Sequence, residues 1–188
     1  MVTKDIGSKK LQSKRFKGLF RRFGKQDDGA TMVEFAIVAG PFFLLIFSII
    51  ETSIFFFASQ YLENSVDEVT RKLRTGQLKD IKTAKDFKEE FCKEINVLFD
   101  CETGLKVRVE TAAKFEDLSK PPEPNEKTGE LNDADYYYQK PGPQEIVQVT
   151  ATYLWPIYTN YSAPLTKPGL SGAAVMHATN VVRTEPFE

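Results

Sequence analysis

The chain has 188 residues, a formal net charge of −1 and 41% hydrophobic residues, which suits one modest domain with added segments and excludes an array of domains. The near-neutral total hides an asymmetry: residues 1–29 hold nine Lys/Arg against three acids, a surplus of six, and the remaining 159 residues are acidic by seven. Ends so different in charge face different environments.

The first predicted element lies in the basic leader, where Phe16, Leu19, Phe20 and Phe23 of "KRFKGLFRRFGK" have the spacing of a short amphipathic helix lying on an inner leaflet. Basic residues can bind nucleic acid, but an apolar segment follows directly, and attraction to anionic lipid or orientation during insertion is the simpler account. No nucleic-acid partner is expected.

The second element is that apolar segment. Residues 35–50 contain no charge, and residues 31–53 supply 23 positions, enough for a helix that needs about 20 apolar residues to cross about 30 Å of hydrocarbon. A secretory signal has a shorter apolar core, about 7–15 residues, closed by a small-x-small site; here the far end reads "FFFASQY", and cleavage after the helix is not expected. A buried helix of a soluble protein is excluded by hydrophobicity on every side. The Lys/Arg-rich flank stays cytoplasmic, so the N terminus faces in and the chain beyond about Ser59 faces out. Two acids flank the span. Glu34 and Glu51 each lie roughly 12 Å from the midpoint near Phe42 at 1.5 Å per residue, close to opposite interfaces. For Glu51 the plain reading is a side chain reaching the headgroups.

Beyond the membrane the chain reads as a small α+β head. Leu62, Val66, Val69 and Leu73 continue the long helix as a one-sided stripe, with Gly76 as its stop. Phe87, Phe91, Ile95 and Leu98 mark a second helix opened by Thr83 as N-cap. Three strands follow. In "GLKVRVETAAKF", Leu105, Val107 and Val109 alternate inward; in "EIVQVTATYLWPIY", Ile146 or Val147 alternates less cleanly with Val149, Ala151 and Tyr153; "GAAVMHATNVVRT" is the third. Residues 117–144 hold five prolines and few aliphatics and read as an exposed, flexible loop. Within it, Tyr136, Tyr137 and Tyr138 form either a contact patch or a loop packed back on its own head. The predicted architecture is a basic leader (1–29), a transmembrane helix (30–58) and a head (59–188) with a second helix and a three-stranded antiparallel sheet.

No G-x-S-x-G, H-E-x-x-H or phosphate-binding glycine loop occurs. His177, the one histidine, sits in a strand-like run and reads as a partly buried or surface residue. Neither an enzyme nor a cofactor is expected.

The junction carries a resemblance. Basic leader, Gly29, small Ala30, then "TMVEFA" resembles the class III signal of type IV pilins and pseudopilins. In that family a membrane prepilin peptidase cuts after the glycine, leaving the apolar helix intact, and the glutamate at mature position five neutralises the new N-terminal amine during assembly. The resemblance places the cut between Gly29 and Ala30 and makes Glu34 the fifth residue. The longer stretch "GATMVEFAIVAGPFFLLIFSIIETSIFF", with Pro41 and Glu51, and the closing "NVVRTEPF" resemble the TadE-like minor pseudopilins of the Tad (Flp pilus) system; the likeness is thin across 118–144. It implies a structural subunit whose partners are a prepilin peptidase, other pilins or pseudopilins and the inner-membrane Tad secretion platform. It also implies a head in the periplasm, which oxidises thiols, so Cys92 and Cys101, with eight residues between them, are expected as a disulfide. A metal site would need two further ligands at suitable spacing, and none is expected. The competing reading of the whole chain is an uncleaved single-pass anchor whose periplasmic domain binds or scaffolds a partner.

Overall fold

The computed structural model describes residues 30–95, 97–101, 104–125, 128–158 and 172–186. The leader, with Gly29 and the expected inner-leaflet helix, lies outside them. The chain divides into two compact units, one closing at Phe47 and one running from Ser48 to Glu188.

The first unit is the opening part of helix α1 (Ala30–Arg74), and its large apolar side chains, from Met32 to Phe47, are exposed in the isolated chain. The second unit begins with the rest of α1, where the pattern becomes one-sided. Ala58, Leu62, Val66, Val69 and Leu73 are buried while Glu63, Asn64 and Asp67 stay exposed, the stripe expected of a helix lying on a core. The helix ends where the glycine requires it. Gly76 has φ of 72°, Gln77 N–H donates to the Lys72 carbonyl at 3.0 Å and Gly76 N–H to Leu73 at 3.1 Å, the paired bonds of a Schellman stop.

Helix α2 (Ala84–Ile95) opens with a reciprocal cap. Thr83 Oγ1 accepts from Asp86 N–H at 3.1 Å, and the Asp86 carboxylate accepts from Thr83 N–H at 3.3 Å, a capping box with Asp in the return position. Phe87, Phe91 and Ile95 are buried as the spacing predicts. Past Ile95 the helical period ends, so the fully buried residue is Phe99 and Leu98 is only partly covered.

Strands β1 (Leu105–Ala112), β2 (Ile146–Pro156) and β3 (Ala173–Arg183) form one antiparallel sheet in the order β1-β2-β3. Register aligns Leu105 with Tyr153, and Tyr153 with Met176, so one face carries Leu105, Val107, Val109, Val147, Val149, Ala151, Tyr153, Met176 and Ala178 into the core shared with the two helices. Val147, not Ile146, belongs to that face. The alternation in β2 is blurred because its other face is buried as well: Gln148, Thr150 and Thr152 are all inaccessible, and a strand covered on both faces loses its polar-out signal.

Part of that second cover is the proline-rich segment, most of whose described residues are exposed. Among its described residues it has two short 3₁₀ turns and no α-helix, yet it is fastened to the sheet. Arg108, buried, donates through Nη2 to the carbonyls of Ser119 and Lys120 at 3.2 and 2.9 Å, and Ser119 Oγ donates to buried Glu110 at 2.8 Å. Val109 N–H donates to Tyr137 O at 2.8 Å and Gln139 N–H returns to Val109 O at 2.9 Å, so the tyrosine run lies along the outer edge of β1. Tyr138 stacks on Phe87 with ring centroids 5.4 Å apart. The tyrosines are therefore packed back on the head, all three partly buried. Burial pushes their phenols above the ordinary value, keeping the hydroxyls protonated.

Cys92 on α2 is bonded to Cys101, in the turn before β1, with Cα atoms 5.9 Å apart. Reducing this bridge, or replacing Cys92 with Ser, should lower the unfolding free energy of the head by about 2–3 kcal/mol in the chain-entropy account, read as a drop in thermal midpoint and faster proteolysis, with membrane insertion unchanged.

Ion pairs between α1 and α2 give the head a pH signature. Lys72 Nζ meets Glu94 at 2.7 Å and Glu90 at 3.5 Å, and Lys93 also reaches Glu90. The Lys93 hydrogen bond first, and Lys72 next, hold the Glu90 carboxyl below its ordinary value of 4.5. A depressed carboxyl contributes stability that is present above pH 4.5 and lost as pH falls through the folded value. Lys72→Met should lower stability at neutral pH by about 0.5–1 kcal/mol, discounted for partial exposure, and flatten the decline on the acid side in unfolding measurements from neutral to strongly acid pH.

Candidate membrane helix and its charged ends

The residues singled out by sequence fall in separate places, and the helix organises them. Ala30 is the first described residue and opens α1; Gly29 lies outside the described residues. Glu34 stands four residues after Ala30 and is exposed, so the two positions share one helical face. Because each Cα–Cβ bond tilts toward the helix N terminus, the Glu34 side chain leans back over the turn that starts at Ala30.

From Met32 to Phe57, a stretch that holds Glu34 and Glu51, the helix is largely apolar on its surface. Fifteen large apolar residues from Met32 to Phe57 are exposed in the isolated chain, and a span within Thr31–Arg74 is long and apolar enough to cross a membrane. Ser53 satisfies its own hydroxyl by donating to the Ile49 carbonyl at 2.8 Å, the usual solution for a hydroxyl in an apolar helix. The helix continues through Pro41. Proline lacks the N–H that the Ile37 carbonyl would otherwise receive, and in a bilayer neighbouring helices or local adjustment satisfy that group. Nothing lies within 4 Å of a Cβ built on adjacent Gly40, so this part of the helix leaves room for close approach.

Glu51 has a partner that its position in the sequence did not announce. Its Oε1 accepts a hydrogen bond from the backbone N–H of Tyr158 at 2.6 Å, which ties the far end of β2 to the helix. A second tie closes the opposite end. Glu185 N–H donates to the Arg74 carbonyl at 3.0 Å, the two side chains pair at 3.4 Å, and buried Thr184 exchanges hydrogen bonds with Glu145 and Gly142. Spacing alone did not reveal either tie, since both join residues more than a hundred positions apart.

His177 is partly buried in β3, its Nδ1 3.1 Å from Thr152 Oγ1. Among the described residues no cluster of His, Cys, Asp or Glu is placed to hold a metal ion. The geometry is therefore one of attachment and packing: an apolar helix with an acid near each end of its span, continuous with the helix on which the head is built.

No curated protein and no solved structure matches the chain. One protein family does: residues 29–71, which take in the glycine of the junction, the apolar span and most of the head's first helix, match the family described as TadE-like protein.

Proposed function

We propose that the chain is a minor pseudopilin of a Tad pilus system, a structural subunit held by α1 in the inner membrane and cut between Gly29 and Ala30 by a prepilin peptidase. The observation that carries this reading is the match at 29–71, which starts at the glycine of the junction. In this reading residues 1–29 are a cytoplasmic leader, α1 spans the membrane once, and the unit bearing the disulfide faces the periplasm. Its partners are the peptidase, other pilins or pseudopilins and the membrane platform that assembles them.

The charge at Glu34 follows from the chemistry of the cut. Cleavage creates an ammonium at Ala30, near hydrocarbon, where an unpaired charge is costly. A carboxylate one helical turn away on the same face, on this chain or a neighbouring subunit's, offsets it. At an effective dielectric of about 20, a pair 4 Å apart interacts by roughly 4 kcal/mol, less the desolvation of both groups. The exposed apolar surface of α1 then serves as the face for other subunits' helices.

N-terminal sequencing of the mature protein is the direct test, with a start at Ala30 expected; an intact leader would support the uncleaved anchor instead. Gly29→Ala should abolish the size shift on processing, because glycine alone lets the peptidase approach the backbone without a side chain.

Glu34→Gln separates cutting from assembly. It keeps the shape and removes the charge, so the expected product is fully processed yet fails to join its partners, scored by co-purification with the other pilus components. Normal assembly of this processed variant would remove the charge-pairing role.

A further inference from the structure

The exit of β2, up to Tyr158, has no task in the reading above. Three observations within the second unit bear on it. Ile54, Phe56 and Phe57 are 47, 57 and 63% exposed, so the head covers Phe55 and Ala58 but leaves the other side of this turn of α1 open, and an apolar strip continues six residues past Glu51. Tyr158 is 85% exposed, yet its backbone N–H is fixed to Glu51 at 2.6 Å. Above it, Trp155 is partly buried against Phe99 and Tyr153, with centroids 6.0 and 6.2 Å apart.

We infer that the exit of β2, Pro156 to Tyr158, is a membrane-interface anchor, seated in the headgroup region of the outer leaflet with Tyr158 as its inserted side chain; the inference rests on α1 spanning a bilayer. The apolar strip sets the depth. Phe57 lies about 9 Å farther along the helix than Glu51 at 1.5 Å per residue. If lipid covers the helix as far as Phe57, anything level with Glu51 lies below the membrane surface, and the Glu51 hydrogen bond holds Tyr158 at that level. The bond also removes the objection to burying either group. A carboxylate and an unpaired backbone N–H are each expensive at the edge of hydrocarbon, and here each satisfies the other. Tyrosine, with an apolar ring and a polar tip, is enriched at that depth. The occupant of this surface is lipid, so the head rests on the bilayer and is not carried above it on a free stalk.

Trp155 is the one tryptophan of the chain, which allows a direct reading. The full chain is reconstituted into phosphatidylcholine vesicles whose acyl chains are brominated near the headgroup, and the wild type is compared with Tyr158→Trp in a Trp155→Phe background. Flotation with the vesicles is scored first. The expected result is a greater loss of fluorescence and a bluer emission for the indole at position 158 than for Trp155, with reduced quenching when Glu51→Ala removes the acceptor. If the double variant fails to form its disulfide, Tyr158→Trp alone gives the answer by difference from wild type. A chain that floats while position 158 is quenched by aqueous iodide and untouched by brominated lipid overturns the anchor and leaves the membrane helix standing. A chain that does not float overturns both, and quenching at 158 unaffected by Glu51→Ala overturns the role given to Glu51.

Discussion

Everything in this protein depends on one helix whose surface changes character along its length. As far as Phe57, α1 exposes large apolar side chains around most of its circumference, which only lipid or other apolar helices can cover. From Ala58 onward it buries a single stripe, Ala58, Leu62, Val66, Val69 and Leu73, against a sheet and a second helix. The head is thus organised on the continuation of an apolar helix, and its core joins that helix to the sheet and to α2.

The sheet is arranged to suit that support. One face meets the helices through aliphatic residues and Tyr153, while the other carries Arg108, Glu110, Gln148, Thr150 and Thr152 in buried positions. Such groups are tolerable when hydrogen-bonded, and the segment after β1 supplies partners through Ser119 and Lys120. The same segment closes the outer edge of β1 with its tyrosine run. A stretch without regular structure thereby covers both a polar face and a strand edge that would otherwise invite pairing with another chain.

What the sequence made legible was whatever depends on local period or local chemistry. The apolar span, the stripe through Leu62 and Leu73, the stop at Gly76, the cap at Thr83 and the three strands all announce themselves within a dozen residues, because helix and strand periods and turn chemistry act at that range. At 117–144 composition pointed to a segment without regular structure but not to its fastening, because the anchoring partners Arg108 and Glu110 lie in a strand whose alternation gives no hint that its polar face is covered. The second role of Glu51 was equally hidden. Its hydrogen bond goes to a backbone N–H, which no side-chain pattern encodes, on a residue 107 positions away. For the candidate site, the junction of basic leader, glycine and Glu34 was readable as a motif, whereas the attachment of the head to the helix was readable only in three dimensions.

The two ties that flank the buried stripe have a mechanical consequence. Glu51 holds the end of β2 at one end of the stripe, and Arg74 holds the exit of β3 at the other. A pull along the axis of α1 therefore loads the helix–sheet interface in shear, with both fastenings and the intervening apolar contacts strained together, whereas a sideways pull would open them one at a time.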